Sequence, residues 1–404
     1  MYANPFSDEE LARRHAAVRA EIEARDLDLI MLSTPENIFY LTGLDHWGYF
    51  APHLLIVPAE GQMVLITRAM ERVTIAHQVR NALFEGHSDS ETAADMAVRH
   101  LQTRPTAQRR QRETLEQAED VIAGLPGRTR RIGMETWSSG HSYGFGRALR
   151  DSLDDVEWVD VTGLVDELRL VKSPEEQEMM RRAALAGDAG TQAAIAAIHD
   201  GASEMDVAAE CLAAMTRAGG TPPGFGPFIR PDARMAEEHT TWGQGTYRSG
   251  ERVFLEIAGC VARYNAPQGR LVHIGGIPDE DAEMAEIAKS AFQAILDGLR
   301  PGVRARDVYD AWQQVVDDAG MPQYRRHHCG YLVGIGFPPS WTGGNRVTGL
   351  RHDSDLVIRE GMTFHAMSWF TETGRGNFFV SNTVLLGPNG AEVLTKTPPG
   401  PTGV

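Results

Sequence analysis

The hydrophobic pattern switches repeatedly between helical and extended spacing. Asp8 to Arg25 carries Leu11, Val18 and Ile22 at helical intervals, with Ser7 placed to cap and Glu10 three residues on, which predicts an amphipathic helix. Leu27 to Leu32 is a short apolar run of strand length, and Asn37 to Leu41 leads to Gly43. Leu54 to Val57 and Met63 to Ile66 flank Pro58-Ala59-Glu60-Gly61 and read as a hairpin or adjacent strands. Arg131 to Met134 and Val156 to Val159 read as further strands. These elements predict an α/β domain over residues 1–160.

A second pattern fills residues 161–404. Ser173-Pro174-Glu175-Glu176 combines an N-cap, a proline at the first helical position and a capping-box glutamate, so a long helix should run to about Ile198. A second helix is expected from Ser203 to Ala218, then strands at Arg252 to Gly259 and Leu271 to Ile274. Helices follow at Glu280 to Leu299 and Ala305 to Ala319, then extended runs at Leu332 to Gly336, Met362 to Met367 and Phe378 to Leu386. Helices followed by strand pairs, twice over, predict an α+β domain with internal pseudo-repetition.

Composition narrows the partners. The chain has 404 residues, with 39 Lys+Arg against 55 Asp+Glu and a formal charge of −16. That balance argues against nucleic acid, whose binding rests on neutralising phosphates, and against anionic membrane surfaces. No apolar run is long enough to span a membrane, and Asn4 to Arg25 is too charged for a signal peptide. The cysteines Cys211, Cys260 and Cys329 are odd in number and widely spaced, so neither a zinc knuckle nor a disulfide scaffold is expected and a reducing cytoplasm fits.

Candidate chemistry lies where polar residues interrupt apolar runs. Glu256 sits inside Val253-Phe254-Leu255-Glu256-Ile257-Ala258-Gly259, where a carboxylate is solvent-facing, paired with a cation, or functional. His365, inside Met362 to Met367, is either a satisfied core histidine or an acid/base, and His239 is a loop histidine. Gly140-His141-Ser142-Tyr143-Gly144 matches the nucleophile-elbow letters, but the preceding strand ends too early, near Met134; a helix start explains the serine. The aromatic groups Trp47-Gly48-Tyr49-Phe50 and Ser368-Trp369-Phe370 are core packing or a box for a small cation.

The order of these segments resembles the creatinase/prolidase superfamily. Asn37 to Gly43, Arg169 to Glu176, His239 ahead of Gly250, and Glu360-Gly361-Met362-Thr363-Phe364 carry the likeness across nearly the whole chain. It implies an N-terminal α/β domain followed by a pita-bread catalytic domain. Within it, Phe254 to Cys260, Arg263-Tyr264, Pro267, Gly330-Tyr331, Gly334, Pro338-Pro339, Trp341 and Gly361 to His365 are similar to ectoine hydrolases. The chain departs from that pattern at Asn265-Ala266, Gly269, Phe379 and Asn382, which leaves the substrate open.

The resemblance also bears on metals. The superfamily's two-metal positions fall here on Glu256, Pro267, Tyr331, Met367 and Ser381, of which only Glu256 offers a carboxylate. No metal or other cofactor is therefore expected, as in the metal-independent branch with creatinase. The resemblance implies a hydrolase for a C–N bond of a small zwitterion, an ectoine-like cyclic amidine first and a creatine-like guanidino acid second. Catalytic roles fall to Glu256, His239, His365 and Tyr331; substrate contacts fall to Trp47, Tyr49, Phe50, Tyr264, Arg270 and Trp369. Arg270 is expected to anchor a carboxylate or to form a structural ion pair. A homodimer is expected, with Trp47, Tyr49 and Phe50 reaching the second subunit's pocket. Two rivals stand: an inactive pita-bread binding module, and an Xaa-Pro peptidase whose metals use displaced ligands such as His327, His328 or Asp353.

Overall fold

The computed structural model describes residues 4–102, 130–344 and 347–404. Its contacts divide the chain into Met1–Arg169 and Leu170–Val404. The division falls later than residue 160 because the short helix ending at Arg169 belongs with the first unit. Arg169 is buried there among the carboxylates of Asp166, Glu36 and Glu135.

The first unit runs α1 (Asp8–Ala24), β1 (Leu29–Leu32), α2 (Pro35–Thr42), β2 (Leu54–Pro58), β3 (Met63–Arg68), α3 (Arg72–Gln78), β4 (Ala82–His87), α4 (Ala93–Gln102), β5 (Arg130–Met134), α5 (Tyr143–Ser152), β6 (Val156–Asp160) and α6 (Leu164–Arg169). The strands form one mixed sheet in the order β4-β3-β2-β1-β5-β6. Alternate residues Leu29, Met31, Leu54, Ile56, Val64 and Ile66 pack with Ala97 and Leu101 of α4 and Leu149 of α5. Ser7 caps α1 as its position predicts. The segment before Gly43 is a helix, ended by that glycine at φ +71°, where a side chain would be strained. Ser142 caps α5, accepting from the amide of Phe145, so the Gly-x-Ser-x-Gly letters mark a helix start and not a nucleophile.

The second unit runs α7 (Pro174–Ala197), α8 (Glu204–Arg217), β7 (Phe228–Pro231), β8 (Arg252–Val261), β9 (Tyr264–His273), α9 (Asp279–Gly298), α10 (Ala305–Asp318), β10 (Gly330–Leu332), β11 (Thr363–Phe370), β12 (Phe378–Gly387), β13 (Gly390–Val393) and β14 (Thr402–Gly403). The capping box on α7 forms as its sequence predicts. The sheet order β10-β11-β12-β9-β8-β7 places two three-strand halves side by side, joined at β12 and β9. Val253, Leu255 and Ile257 of β8 pack with α7 and α8. Phe364, Ala366 and Phe370 of β11 pack with α9 and α10. The expected pseudo-repeat is thus real: each half covers one face of its strands with its own helix pair. The opposite, inner face carries Arg230, Glu256, Tyr331, His365 and Ser381.

Strand β9 begins at Tyr264, seven positions before the expected Leu271. Proline and glycine are disfavoured inside strands, yet the ladder to β8 passes through Pro267 and Gly269, pairing Ala258 with Pro267 and Glu256 with Gly269. A two-residue turn, Ala262-Arg263, joins the strands with both residues at positive φ.

Candidate active site

The ladders decide which side chains meet. Directly paired residues share a sheet face and successive residues alternate. Counting outward from Glu256 and its pairings, the inner face carries Phe228 and Arg230 on β7, Phe254 and Glu256 on β8, and Pro267 and Gly269 on β9. It continues with Ser381 and Phe379 on β12, His365, Met367 and Trp369 on β11, and Tyr331 on β10.

Glu256 is the buried carboxylate of this face, 6% exposed. Burial pushes its pKa up to about 8, against the opposing pull of the Arg230 guanidinium; Glu238 adds to the rise and Arg326 opposes it. The site therefore holds this carboxyl largely protonated at neutral pH until a cation joins it.

His365 is fully buried and bonded through both ring nitrogens. Nδ1 lies 2.9 Å from the Tyr331 hydroxyl and Nε2 lies 2.7 Å from Ser381 Oγ. Burial, with smaller contributions from His328 and Arg270, lowers its pKa to about 3, so the ring is neutral. Trp341 Nε1–H, a donor only, is 2.9 Å from the Tyr331 oxygen. We assign the protons by that network: Trp341 donates to Tyr331, Tyr331 to His365 Nδ1, and His365 Nε2–H to Ser381. Tyr331 itself is held neutral, its pKa raised well above the ordinary value by burial and then by Glu256.

His239 is exposed, at φ +54°, in the loop before β8. It stacks on Phe225 at 5.6 Å and meets Phe228 edge-on at 6.0 Å, and both phenylalanines contact Trp341. An aromatic wall thus links this histidine to the Tyr331–His365 chain. Trp369 also belongs to the inner face, packed on Phe254 at 5.3 Å and Phe379 at 5.0 Å, with the Arg326 guanidinium 4.5 Å above its ring.

Two expected substrate contacts move out of the site. Tyr264 and Arg270 have the parity of Leu255 and Val253's face, toward the helices. The Tyr264 hydroxyl donates to Glu176 of α7 at 2.9 Å. Arg270 spends every N–H on chain oxygens: Pro398, Gly269, Ser381 and Thr397 carbonyls and the Asn382 side chain. No donor remains for a substrate carboxylate, so Arg270 holds the C-terminal segment and anchors no ligand. Trp47, Tyr49 and Phe50 lie in the first unit. Trp47 and Phe50 are exposed, and Tyr49 packs between His46 and His53 with its hydroxyl donating to the Leu44 carbonyl.

Sequence reasoning missed Arg230. It is 1% exposed on the inner face, its guanidinium carbon 4.3 Å over the Phe254 ring, one strand from Glu256.

Residues 14–171 match the creatinase/prolidase N-terminal domain, and residues 178–388, more than half of the chain, match metallopeptidase family M24. The chain belongs to the M24 family. An ectoine hydrolase from Halomonas elongata is 27% identical over 405 residues, covering 98% of this M24 chain and 97% of that protein. An Xaa-Pro dipeptidase from Pyrococcus horikoshii is 25% identical over 285 residues, 70% of this chain and 78% of its own. The solved prolidase of Pyrococcus horikoshii superposes with a TM-score of 0.78 at 20% identity, covering 96% of this chain and 99% of that one, which shows the shared fold. Membership makes the chain an M24-family hydrolase. None of its described helices is long and apolar enough to cross a membrane.

The family's metal centre does not fit these residues. Glu256, Pro267, Tyr331, Met367 and Ser381 do converge on one face, but they supply one carboxylate, a thioether, two hydroxyls and a side chain with no donor atom. Among the described residues no three of His, Cys, Asp and Glu cluster in a way that could hold a metal ion. The displaced ligands proposed for a metallopeptidase do not assemble either: His327 and His328 pack on each other at 4.1 Å, and Asp353 pairs with Arg351 at 2.9 Å. All three cysteines are free and buried.

Proposed function

We propose that this M24-family chain hydrolyses a C–N bond of a small zwitterion, an ectoine-like cyclic amidine first, without a two-metal centre. The observation that carries this reading is the replacement of the carboxylate-rich ligand set by a single buried carboxylate, Glu256, beside neutral hydrogen-bonding groups. The full-length likeness to the Halomonas elongata ectoine hydrolase supports the substrate class.

The chemistry follows from the charges. An amidinium entering beside Glu256 favours the carboxylate form, so the carboxyl proton leaves as the cation arrives. Water then adds to the amidinium carbon, and Glu256 takes one of its protons and delivers it to the leaving nitrogen. The carbon–nitrogen bond breaks as the carbonyl forms, and the remaining hydroxyl proton passes to His239 at the rim. The Ser381 hydroxyl accepts from His365 Nε2–H, which leaves its own O–H to stabilise the tetrahedral oxygen, while Tyr331 fixes the His365 ring from the other nitrogen. The product is a ring-opened amide and an amine, which takes up its proton from solvent.

The test is incubation with ectoine, hydroxyectoine, creatine and small amides, with products read by mass spectrometry. Ring opening of ectoine with addition of one water supports the reading. Cleavage of Xaa-Pro dipeptides in place of these compounds would transfer the chain to the peptidase reading.

A further inference from the structure

We propose that Arg230 anchors the carboxylate of the ligand, so that the site selects molecules carrying one carboxylate and one delocalised cation a few bonds apart. This deepens the proposed function and rests on it for the cation. Geometry alone points Arg230 at an anion. Arg230 lies on β7 between Ile229, packed in the helix-side core, and Pro231; its own side chain takes the inner face opposite Phe254. The guanidinium is buried, yet its Nε and Nη1 have no hydrogen-bond partner among the described residues.

A buried guanidinium with unmade bonds is costly, and native structures satisfy such groups with protein, water or ligand. Arg270 in the same sheet shows the satisfied alternative, with all its N–H groups bonded to chain oxygens. Glu256 does not complete Arg230: it sits diagonally across the ladder, and its carboxyl is held largely neutral. A planar carboxylate suits a planar guanidinium better than a spherical anion does. The same ligand's cation would draw Glu256 into its carboxylate form and pair with it. Phe254, stacked on Phe379 at 4.7 Å and 12°, lies under the Arg230 guanidinium and holds it on the inner face. One zwitterion thereby compensates both buried groups, whereas a simple amide or a bare amidine compensates at most one.

The experiment is calorimetric titration of the full chain with two matched pairs. Ectoine is compared with 2-methyl-tetrahydropyrimidine, the same ring without the carboxylate, and creatine with creatinine. Binding is measured on the unmodified protein and on Arg230→Met and Arg230→Lys, with circular dichroism confirming folding. Expected is at least a tenfold preference for the carboxylate member of one pair. Arg230→Met should reduce that preference below twofold, and Arg230→Lys should keep part of it. No preference in the unmodified protein, no binding of either carboxylate, or a preference that survives Arg230→Met overturns the anchor. Should Arg230→Met not fold, the partial loss in Arg230→Lys decides alone, and an unchanged preference there overturns it. A preserved preference without turnover removes the hydrolase reading and leaves the anchor standing; turnover with no preference removes the anchor alone.

Discussion

The Glu256 carboxylate lies 3.9 Å from Nδ1 of His365, beyond hydrogen-bond distance, while that nitrogen is 2.9 Å from the Tyr331 hydroxyl. The pair is not an ion pair, because burial holds the imidazole neutral and the carboxyl largely protonated. His365 therefore positions Tyr331 and Ser381 and does not exchange protons with Glu256. His365→Asn should lower kcat and cost about 1–3 kcal/mol of stability from the broken network. The pH limb set by Glu256 should stay near 8. A limb that disappears or moves with this substitution would make His365 the acid/base.

Ligand binding should be linked to proton release. Below pH 8 the cation must displace the Glu256 proton, so apparent affinity should fall about tenfold for each pH unit below the pKa and level off above it. Calorimetry of ectoine binding in buffers of different ionisation enthalpy reads the released proton directly. Uptake of a proton, or none, at pH 7 would contradict the assignment.

Glu256→Gln should reduce turnover about 10²–10⁴-fold, the range lost with a general acid–base. Its effect on stability has the opposite sign at high pH. The folded-state pKa is raised above the unfolded value, so the stability linked to this group is full below about pH 4.5 and is lost as pH rises through about 8. Glutamine removes that loss. The variant should gain on the unmodified protein from pH 5 to 8 by a few kcal/mol, roughly 1.4 per unit of pH, then hold the gain. Denaturant melts at pH 5, 7 and 9 check this, and a constant difference across them would contradict it.

Gly269 is required where it stands. A Cβ there would lie 1.9 Å from Cε1 of Phe379 and 2.7 Å from Ser381 Oγ. Gly269→Ala should destabilise by about 1–3 kcal/mol through overpacking. Adding Phe379→Ala should offset part of that cost, because the two positions share one volume. Thermal melts of both single variants and the pair measure the coupling, and strict additivity would argue against it.

Local patterns made much of this architecture legible, since capping boxes, helical spacing and strand-length runs depend on near neighbours. Ser7, Ser173 and the strands around Glu256 and His365 stand where those patterns place them. The misplaced residues depended on distant partners. Local pattern predicts the strand only from Leu271, because the ladder and the Phe379 ring that accommodate Pro267 and Gly269 come from elsewhere in the chain. Arg230 was invisible for the same reason: β7 has four residues, ends in proline and follows a run of turn residues. Arg270 could have been judged from sequence. Once Ala262-Arg263 is taken as a two-residue hairpin turn, counting alternate positions puts Arg270 on the face away from Glu256.

Hydrolysis through Glu256 without a two-metal centre is tested most directly by turnover of ectoine after exhaustive chelation. Protein treated with a strong chelator and shown by elemental analysis to be metal-free should open the ring at the same rate as untreated protein, while Glu256→Gln stays nearly inactive in both states. Activity that vanishes on chelation and returns with manganese, cobalt or zinc would contradict the account.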